Sequence, residues 1–375
     1  MNIAIIEKGH FEVAYTLISL FDNGDNRITV FVDESSFDQL AWLLKDKIAR
    51  YTWIKQTNES NRDFIEKMFR HIHQHSFDLL YFDTIADNFI HYAWYIRKLN
   101  REKIIMTLHD INGFFHYTPS WSLRKTLRYI GKRRLIRLIP AFNVLSETLI
   151  PHLRQKIARE KKIFNIAGGF FEPGNFKVKE YKATDTINIT IPGSVDTRRR
   201  DYDSVFELLL KAKQQGINIS ITLLGTFRQK YSEHIHTKCL QYIGANNNLH
   251  LYETGIVNQA EFDRVMSETH FIWMPLQSSA IVTDGTTEQY GISISSGNIG
   301  DVIRYVIPFF APAHFKSDSA LQKSRYQYNE ITDIINTLKN LGSIEYERLQ
   351  DEAFKASLNY TKDSIIARNQ SLFQR

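Results

Sequence analysis

Short apolar runs alternate with amphipathic segments along most of the chain. Residues 2–7 form the first run, and after it apolar side chains fall at positions 11, 14, 17, 18 and 21, which is the spacing of one helix face. The same alternation recurs to about residue 169 and resumes at Ile187. Strands separated by helices pair in parallel, because each helical crossover returns the chain to the same end of the sheet. The pattern therefore predicts an α/β fold with parallel sheets.

The alternation also predicts the individual elements. Predicted strands cover residues 2–7, 28–32, 51–55, 78–83, 103–109, 142–146 and 162–167, and then 187–191, 219–224, 249–253, 271–276 and 307–312. Predicted helices cover residues 11–21, 36–45, 61–75 and 88–99, a helix that ends at 212, and then 229–243, 259–268, 330–339, 344–357 and 361–372. A further helix is expected to begin directly after Gly291.

A break in the pattern divides the chain into two domains. Residues 170–185 hold a proline and a glycine followed by a charged run without periodicity, which is typical of a linker. A chain of 375 residues is also too long for one hydrophobic core. We therefore expect one domain at residues 1–170, a linker at 171–186, a second domain at 187–350 and a C-terminal helix within 351–375.

Composition limits the kind of protein this is. With 43% apolar and 23% charged residues, the chain is expected to fold. Its single cysteine, Cys239, excludes an internal disulfide and cysteine-based zinc sites, which fits a reducing compartment. The first residues are too short an apolar run for a secretory signal, and no run approaches the roughly 18 apolar residues of a membrane span. The sequence therefore predicts a cytoplasmic protein.

One segment, residues 121–137, concentrates the positive charge of a chain whose net charge is +6. Its basic residues are interleaved with aromatic and aliphatic ones; they are Arg124, Lys125, Arg128, Lys132, Arg133, Arg134 and Arg137. One interpretation is a helix or helical hairpin lying on the anionic inner face of a membrane. The other is a helix packed on its domain with a solvated basic face. Nucleic acid is not the expected partner, because acidic residues nearly balance basic ones and no base-reading module is present.

Several loops after predicted strands carry residues suited to an anionic ligand or to proton transfer. Such loops meet at the ligand-binding edge of a parallel sheet. The loop 284–300 is rich in glycine and hydroxyl groups and contains Glu288, with an expected helix start that would favour an anion. The other candidates are Gly9 and His10, His109, and Gly193 with Arg199 and Arg200. The alternatives are a solvated carboxylate at Glu288, a histidine hydrogen-bonded within its loop, and a solvated turn at the arginines.

At these residues the sequence resembles the GT-B glycosyltransferases, in particular the retaining family 4-like enzymes (glycosyl transferases group 1) that use nucleotide-diphospho-sugars. Glu288, Tyr290 and Gly291 match the glutamate and the aromatic-glycine pair of the family's motif, and residues 307–312 look like the strand that follows it. Ser296 stands where the family has a second glutamate, which contacts the ribose. The sequence thus departs from the family's pattern at the ribose contact.

The resemblance implies a fold and a set of roles. It implies two facing Rossmann-like domains, with the last helix packing back on the first domain. It also implies that Glu288 and His109 are catalytic, that Gly9 and His10 lie on the acceptor side, and that the donor and its diphosphate are bound by Gly193, Arg199, Arg200, Tyr290, Gly291, Ser295 and Ser296. It implies no metal and no cofactor besides the nucleotide-sugar substrate.

The leading hypothesis is therefore a glycosyltransferase that moves a sugar from a nucleotide-diphospho-sugar to a saccharide or lipid-linked acceptor, in surface polysaccharide assembly. A second hypothesis is a sugar-nucleotide epimerase or hydrolase on the same fold, which needs no acceptor. A third is a non-catalytic pseudo-glycosyltransferase or a protein that binds through its basic surface.

Overall fold

Two parallel sheets organise the fold, one in each half of the chain. The computed structural model describes residues 1–117, 121–182, 185–227, 229–244, 246–252, 257–281 and 285–374. Seven strands form the first sheet and six form the second. Both sheets pair in parallel throughout, as the alternation of strands and helices predicts. The α/β fold with two Rossmann-like domains is confirmed.

The first domain contains the longer run of strands. They are β1 (Asn2–Ile6), β2 (Arg27–Asp33), β3 (Thr52–Gln56), β4 (Leu79–Phe82), β5 (Ile104–Thr107), β6 (Ala141–Val144) and β7 (Lys162–Asn165). Their helices are α1 (Phe11–Phe21), α2 (Glu34–Leu44), α3 (Asn61–Gln74), α4 (Phe89–Ile96), α5 (Ile111–Phe115), α6 (Leu123–Leu138) and α7 (Ile150–Arg154). The strand order β3-β2-β1-β4-β5-β6-β7 reverses direction between β1 and β4, where ligands bind in open sheets.

The second domain repeats the arrangement. Its strands are β8 (Ile187–Pro192), β9 (Ile219–Leu224), β10 (Leu249–Leu251), β11 (Phe271–Trp273), β12 (Ala280–Ile281), β13 (Thr287–Glu288), β14 (Phe309–Pro312) and β15 (Arg325–Tyr328). Its helices are α8 (Asp203–Gln214), α9 (Gln229–Ile243), α10 (Gln259–Glu268), α11 (Asn298–Tyr305), α12 (Ile331–Lys339), α13 (Ser343–Leu358), α14 (Lys362–Arg368) and α15 (Gln370–Phe373). The sheet order is β10-β9-β8-β11-β14-β15, so the reversal lies between β8 and β11.

The loop that we expected to lead straight into a helix has a different structure. Its first residue, Asp284, lies outside the described residues, and β13 pairs with β12 in a short antiparallel ribbon. Gly291 does not start a helix: its N–H donates to the carbonyl of Ile294, and α11 begins at Asn298. Gly291 has a φ of +75°, and a Cβ there would lie 2.2 Å from the carbonyl oxygen of Lys316. A tight turn that only glycine fits therefore delays the helix.

The C-terminal segment packs on the first domain. The Phe373 ring lies 4.8 Å from the Phe21 ring of α1, and the Asn369 side chain exchanges hydrogen bonds of 3.2 and 3.1 Å with the backbone of Asn165. The helix predicted at 361–372 is interrupted at Asn369, and residue 350, our expected domain boundary, lies inside α13. Within the described part of the chain, no helix is both long and apolar enough to cross a membrane.

Buried strands supply most of the apolar core. All four residues of β4 are buried, as expected for a strand covered by helices on both faces. One apolar cluster covers one face of the first sheet, and another fills the second domain. A third extends from the other face of the first sheet across to α11 and the C-terminal helices. The two domains therefore share apolar packing beside the cleft described next.

Candidate active site

A cleft of about 510 Å³ lies between the two domains at the carboxyl ends of their central strands. The first domain contributes the loops that follow β1, β4 and β5, and the second contributes the loop after β8 and the start of α11. The cleft brings together all of the predicted site residues except Glu288 and Gly291; those that line it are Gly9, His10, His109, Gly193, Arg199, Arg200, Tyr290, Ser295 and Ser296.

On the first-domain side, His109 is held in one tautomer by its neighbours. Thr84 donates its only hydroxyl hydrogen to Glu7 Oε2 at 2.8 Å, so its oxygen can only accept from His109 Nε2, which lies 3.1 Å away. The same Nε2 lies 3.2 Å from the carbonyl oxygen of Asp83, which also can only accept. The hydrogen-bond network therefore places the proton on Nε2 and leaves Nδ1 as an acceptor.

The ionisation of His109 is set by its surroundings. Burial, followed by the nearby charge of His10, lowers the pKa of His109 well below its usual range. The two imidazole rings are stacked with their centroids 4.5 Å apart. Because the imidazole stays neutral near pH 7, His109 offers the cleft a base or a hydrogen-bond acceptor.

Beneath His109 lies a pair of carboxyl groups, Glu7 and Asp83, that we did not predict as site residues. They follow β1 and β4, which are neighbours, and both are fully buried. Burial, and then the charge of Asp83, raises the pKa of Glu7 well above its usual range. Two such carboxyls do not both ionise without a cation, so at least one of them is expected to be protonated.

The same residues could in principle hold a metal. One ligand atom from each of Glu7, Asp83 and His109 lies within 4.8 Å of the others. A metal there would require the lone pair of His109 Nε2, however, and the network uses that nitrogen as a donor. The donor role of Nε2 therefore argues against a metal ion bound through this nitrogen.

On the second-domain side, the two predicted arginines are held differently. Arg200 donates to Asn298 Oδ1 at 2.9 Å, and to the Gly193 carbonyl and the Tyr202 hydroxyl at 3.3 Å each. Arg199 Nε has no hydrogen-bond partner among the described residues. Its nearest carboxylate, Asp196, is 4.0 Å away and already carries the hydrogen bonds of Arg198. Arg200 thus fixes the loop, and Arg199 is available to a ligand.

The start of α11 completes this wall of the cleft. Asn298 Nδ2 donates to the Pro192 carbonyl at 2.9 Å, which ties the helix start to the end of β8. Ser295 and Ser296, which directly precede the helix, also line the cleft. The positive end of the helix dipole therefore points to the same space as Arg199, an arrangement that suits an anion.

Comparison with solved structures identifies the architecture. The HepE protein of Anabaena, solved with UDP and glucose, superposes with a TM-score of 0.65 at 13% identity, over 99% of each chain. A glycosyltransferase from Rickettsia africae superposes with a TM-score of 0.62 at 12% identity, over 100% of this chain and 98% of that one. The chain has the GT-B fold.

The GT-B fold also contains epimerases that superpose on this chain. The UDP-GlcNAc 2-epimerase of Neisseria meningitidis, solved with UDP-GlcNAc, has a TM-score of 0.57 at 13% identity over all of both chains. No protein-family model matches the sequence, and no curated protein matches it either. The fold is therefore shared with both classes of enzyme.

Glu288, the residue around which we expected the site to form, is buried beside the GT-B cleft rather than on its surface. Its Oε1 accepts a hydrogen bond of 2.6 Å from the N–H of Gly113 in α5, so it joins the second domain to the first. Its Oε2 is buried without a hydrogen-bond partner among the described residues. Burial, with a smaller contribution from Asp110, raises the pKa of Glu288 to about 7. The alternative interpretation of Glu288 as a solvated carboxylate is wrong, because the residue is fully buried.

The cleft also contains basic residues that sequence reasoning assigned elsewhere or missed. Arg128 and Lys132 belong to the basic segment, yet both line the cleft, and Lys132 Nζ donates to the Gly113 carbonyl at 2.7 Å. Arg304 in α11 lines it as well. The signal for Glu7 and Asp83 was a carboxylate that directly follows a buried apolar strand, whereas nothing in the sequence distinguishes the inner from the outer arginines of α6.

Proposed function

We propose that the protein is a glycosyltransferase that moves a sugar from a nucleotide-diphospho-sugar to a saccharide or lipid-linked acceptor. The observation that carries the proposal is the pairing of groups across one cleft. Arg199 and the start of α11 lie on one wall, and the Nδ1 acceptor of His109 lies on the other. Similarity to solved GT-B glycosyltransferases supports the same reading.

The cationic wall suits the leaving group. When the glycosidic bond breaks, negative charge grows on the departing nucleoside diphosphate, and preorganised donors that meet this charge lower the barrier. The guanidinium of Arg199 offers paired N–H donors to phosphate oxygens, and the helix start adds its dipole. Ser295 and Ser296 supply hydroxyl groups to the same ligand.

The opposite wall suits the sugar or the acceptor. Neutral His109 accepts a hydrogen bond from a hydroxyl of the bound sugar or of the acceptor, while Thr84 and Glu7 hold its ring in place. Since that network uses the Nε2 hydrogen, the proposed transfer needs no metal at these residues. The resemblance to retaining enzymes leads us to propose a retaining outcome, in the cytoplasm and in assembly of surface polysaccharide.

The first prediction tests the donor wall. Replacing Arg199 by alanine should weaken binding of UDP by roughly 10- to 100-fold, the effect of losing a hydrogen bond of about 1.5–3 kcal/mol to a charged group. Binding of uridine, which has no phosphate, should change little. Isothermal titration calorimetry with both ligands measures the two effects.

Two further variants sharpen the result. Arg348→Ala, on the exposed face of α13, removes the same charge away from the cleft and should leave UDP binding unchanged. Arg200→Ala should lower both UDP affinity and thermal stability, because Arg200 also holds Asn298. Equal losses for UDP and uridine in the Arg199 variant would contradict the proposed diphosphate contact.

An epimerase is the second candidate, favoured by the UDP-GlcNAc 2-epimerases that share the fold. Incubation with a nucleotide-sugar alone separates the candidates. An epimerase or hydrolase converts the sugar without an acceptor, a transferase needs one, and a non-catalytic protein binds the nucleotide without turning it over.

A further inference from the structure

A second cavity, of about 770 Å³, opens beside the cleft on the first domain. It lies at the carboxyl ends of β1 to β4, and Thr84 and Ala86 line both it and the cleft. A molecule bound in this cavity would therefore lie next to the space proposed for the donor sugar. We call it the acidic cavity, for the charge described next.

Four carboxylates line the acidic cavity against one cation. The carboxylates are Asp33, Glu34, Asp38 and Asp87, and the cation is Lys8. Lys8 Nζ is engaged with Asn61 Oδ1 at 2.9 Å, and within the described residues none of the four carboxylates lies at ion-pair distance from a basic group. The adjoining cleft differs in its balance of charge, because five basic residues line it beside four carboxylates; the basic ones are Arg128, Lys132, Arg199, Arg200 and Arg304, and the acidic ones are Glu12, Asp110, Asp196 and Asp301.

Several polar groups of the acidic cavity retain bonding capacity. Asp33 uses Oδ1 to cap α2, and Asp87 uses Oδ2 to accept from Asn61 at 2.9 Å, which leaves one oxygen of each. Asn61 is fixed from both ends, since its oxygen also accepts from Gln56. The Tyr92 hydroxyl belongs to a side chain that is only 3% exposed and has no hydrogen-bond partner in the described parts of the chain. Because this hydroxyl reaches the cavity, it can exchange a hydrogen bond with a bound ligand.

Fixed carboxylate oxygens accept hydrogen bonds from hydroxyl and ammonium groups, and they repel phosphate. We propose that the acidic cavity binds the acceptor. The bound end of this acceptor is a sugar without a phosphate group: either an amino sugar or an uncharged sugar, bound through its hydroxyls. This rests on the proposed transferase function. The diphosphate would thus bind at Arg199 and the start of α11, and the acceptor would bind beside the carboxylates of the acidic cavity.

Binding of three small probes tests the proposal without any transfer reaction. Glucosamine, glucose and glucose 6-phosphate are titrated into the full chain by ligand-observed NMR, at low ionic strength and at a pH where the amine is protonated. Glucosamine should bind about tenfold or more tightly than glucose 6-phosphate, with glucose between them. Added salt should reduce the difference, because it screens charges in an open cavity.

Variants show which residues cause the preference for glucosamine over glucose 6-phosphate. Replacing Asp38 and Asp87 together by asparagine should bring the three affinities within about threefold of each other. Asp25→Asn, in the turn before β2 at the opposite end of the sheet, removes the same kind of charge and should leave the preference intact. Tyr92→Phe should weaken all three probes by a similar factor.

Each contrary result overturns the proposal: binding of glucose 6-phosphate as tight as that of glucosamine, no binding of any probe, or a preference that survives in the double variant. UDP binding is measured on the same samples. Failure of UDP to bind would contradict the proposed function, whereas UDP binding without the sugar preference would contradict only the acidic cavity.

Discussion

Glu288 combines a buried position with a single strong hydrogen bond, and this combination determines the protonation state of its carboxyl group. One carboxyl oxygen accepts from Gly113, and the other has no donor among the described residues. A protonated carboxyl satisfies this environment better than an ionised one, because its hydroxyl needs no charge stabilisation. Burial of Glu288 therefore makes the folded protein more stable when this carboxyl is neutral, although the hydrogen bond from Gly113 alone favours the ionised form.

The pH dependence of stability tests this assignment. Because the pKa of Glu288 in the folded protein is raised to about 7, its contribution to the free energy of unfolding is complete below the pKa of the unfolded chain and is lost as the pH rises through 7. Glu288→Gln is expected to remove up to about 3 kcal/mol of the difference between pH 5 and pH 8. Urea unfolding of both proteins at several pH values measures it.

Comparing wild type with Glu288→Gln removes the contribution of the other titrating groups to the pH dependence, because both proteins contain them. Parallel pH profiles for the two proteins would contradict the assignment.

The family resemblance adds a separate prediction for the same variant: if Glu288 contacts the donor sugar, transfer falls tenfold or more while UDP affinity is retained.

Sequence could identify polar residues at the cleft but not their partners. His109 and Arg199 could be predicted because each follows a strand that ends at the ligand-binding edge. The role of His109 depends on Thr84, and the position of Arg200, next to Arg199, depends on Asn298; both partners are far away in sequence. The spacing of residues along the chain does not predict such contacts.

At the scale of elements, α6 divides its basic residues between two faces. Arg128 and Lys132 turn inward, and Gly131 lets the helix approach α4, where a Cβ would lie 2.6 Å from the backbone nitrogen of Ile90. The opposite face exposes Leu123 and Leu127 together with Arg133, Arg134 and Arg137. The segment is thus one helix rather than a hairpin, and only its outer face can meet a membrane.

We predict that this outer face binds anionic membranes. Leu123, Leu127, Arg134 and Arg137 fall at helical spacings that place them on one side. Each basic residue near an anionic surface contributes about 1 kcal/mol, so reversing the charge of Arg133, Arg134 and Arg137 should lower binding by two orders of magnitude or more. Sedimentation with phosphatidylserine vesicles measures the bound fraction.

The matched control reverses three exposed lysines of the second domain, Lys213, Lys323 and Lys339. This variant has the same net charge as the test variant and should still sediment. Equal sedimentation of the test variant and the wild type would show that the outer face is merely solvated.

Regular elements were predictable where an apolar period continues for several turns. The helices at 11–21, 229–243 and 259–268 were predicted with the bounds that the structure has. The start of α11 was not, because the turn at residues 289–294 is set by the close approach of Gly291 to Lys316, a tertiary contact. A sustained apolar period reveals which face of a helix packs, whereas the start of a short helix depends on tertiary contacts that the period does not contain.

At the scale of the whole molecule, one carboxylate joins three parts of the chain. Asp318, in the loop after β14, accepts hydrogen bonds from the Ser146 hydroxyl and from the Glu147 N–H, the latter at 3.1 Å, both in the first domain. Its other oxygen accepts from the Tyr360 hydroxyl at 3.0 Å, just before α14. Asp318 is 3% exposed, so these donors have no water to replace it. Asp318 therefore links the second domain and the C-terminal segment to the first domain.

We predict that Asp318→Ala loosens this contact. The variant removes the acceptor of two buried hydroxyl donors, Ser146 and Tyr360, at a cost of roughly 1–3 kcal/mol each, and the walls of the cleft should separate. The expected results are a lower free energy of unfolding, a larger radius of gyration by small-angle X-ray scattering, and weaker UDP binding. Asp318→Asn keeps one acceptor oxygen and serves as the control, with smaller changes in all three. An alanine variant that unfolds and scatters like the wild type would show that the shared apolar packing alone holds the domains together.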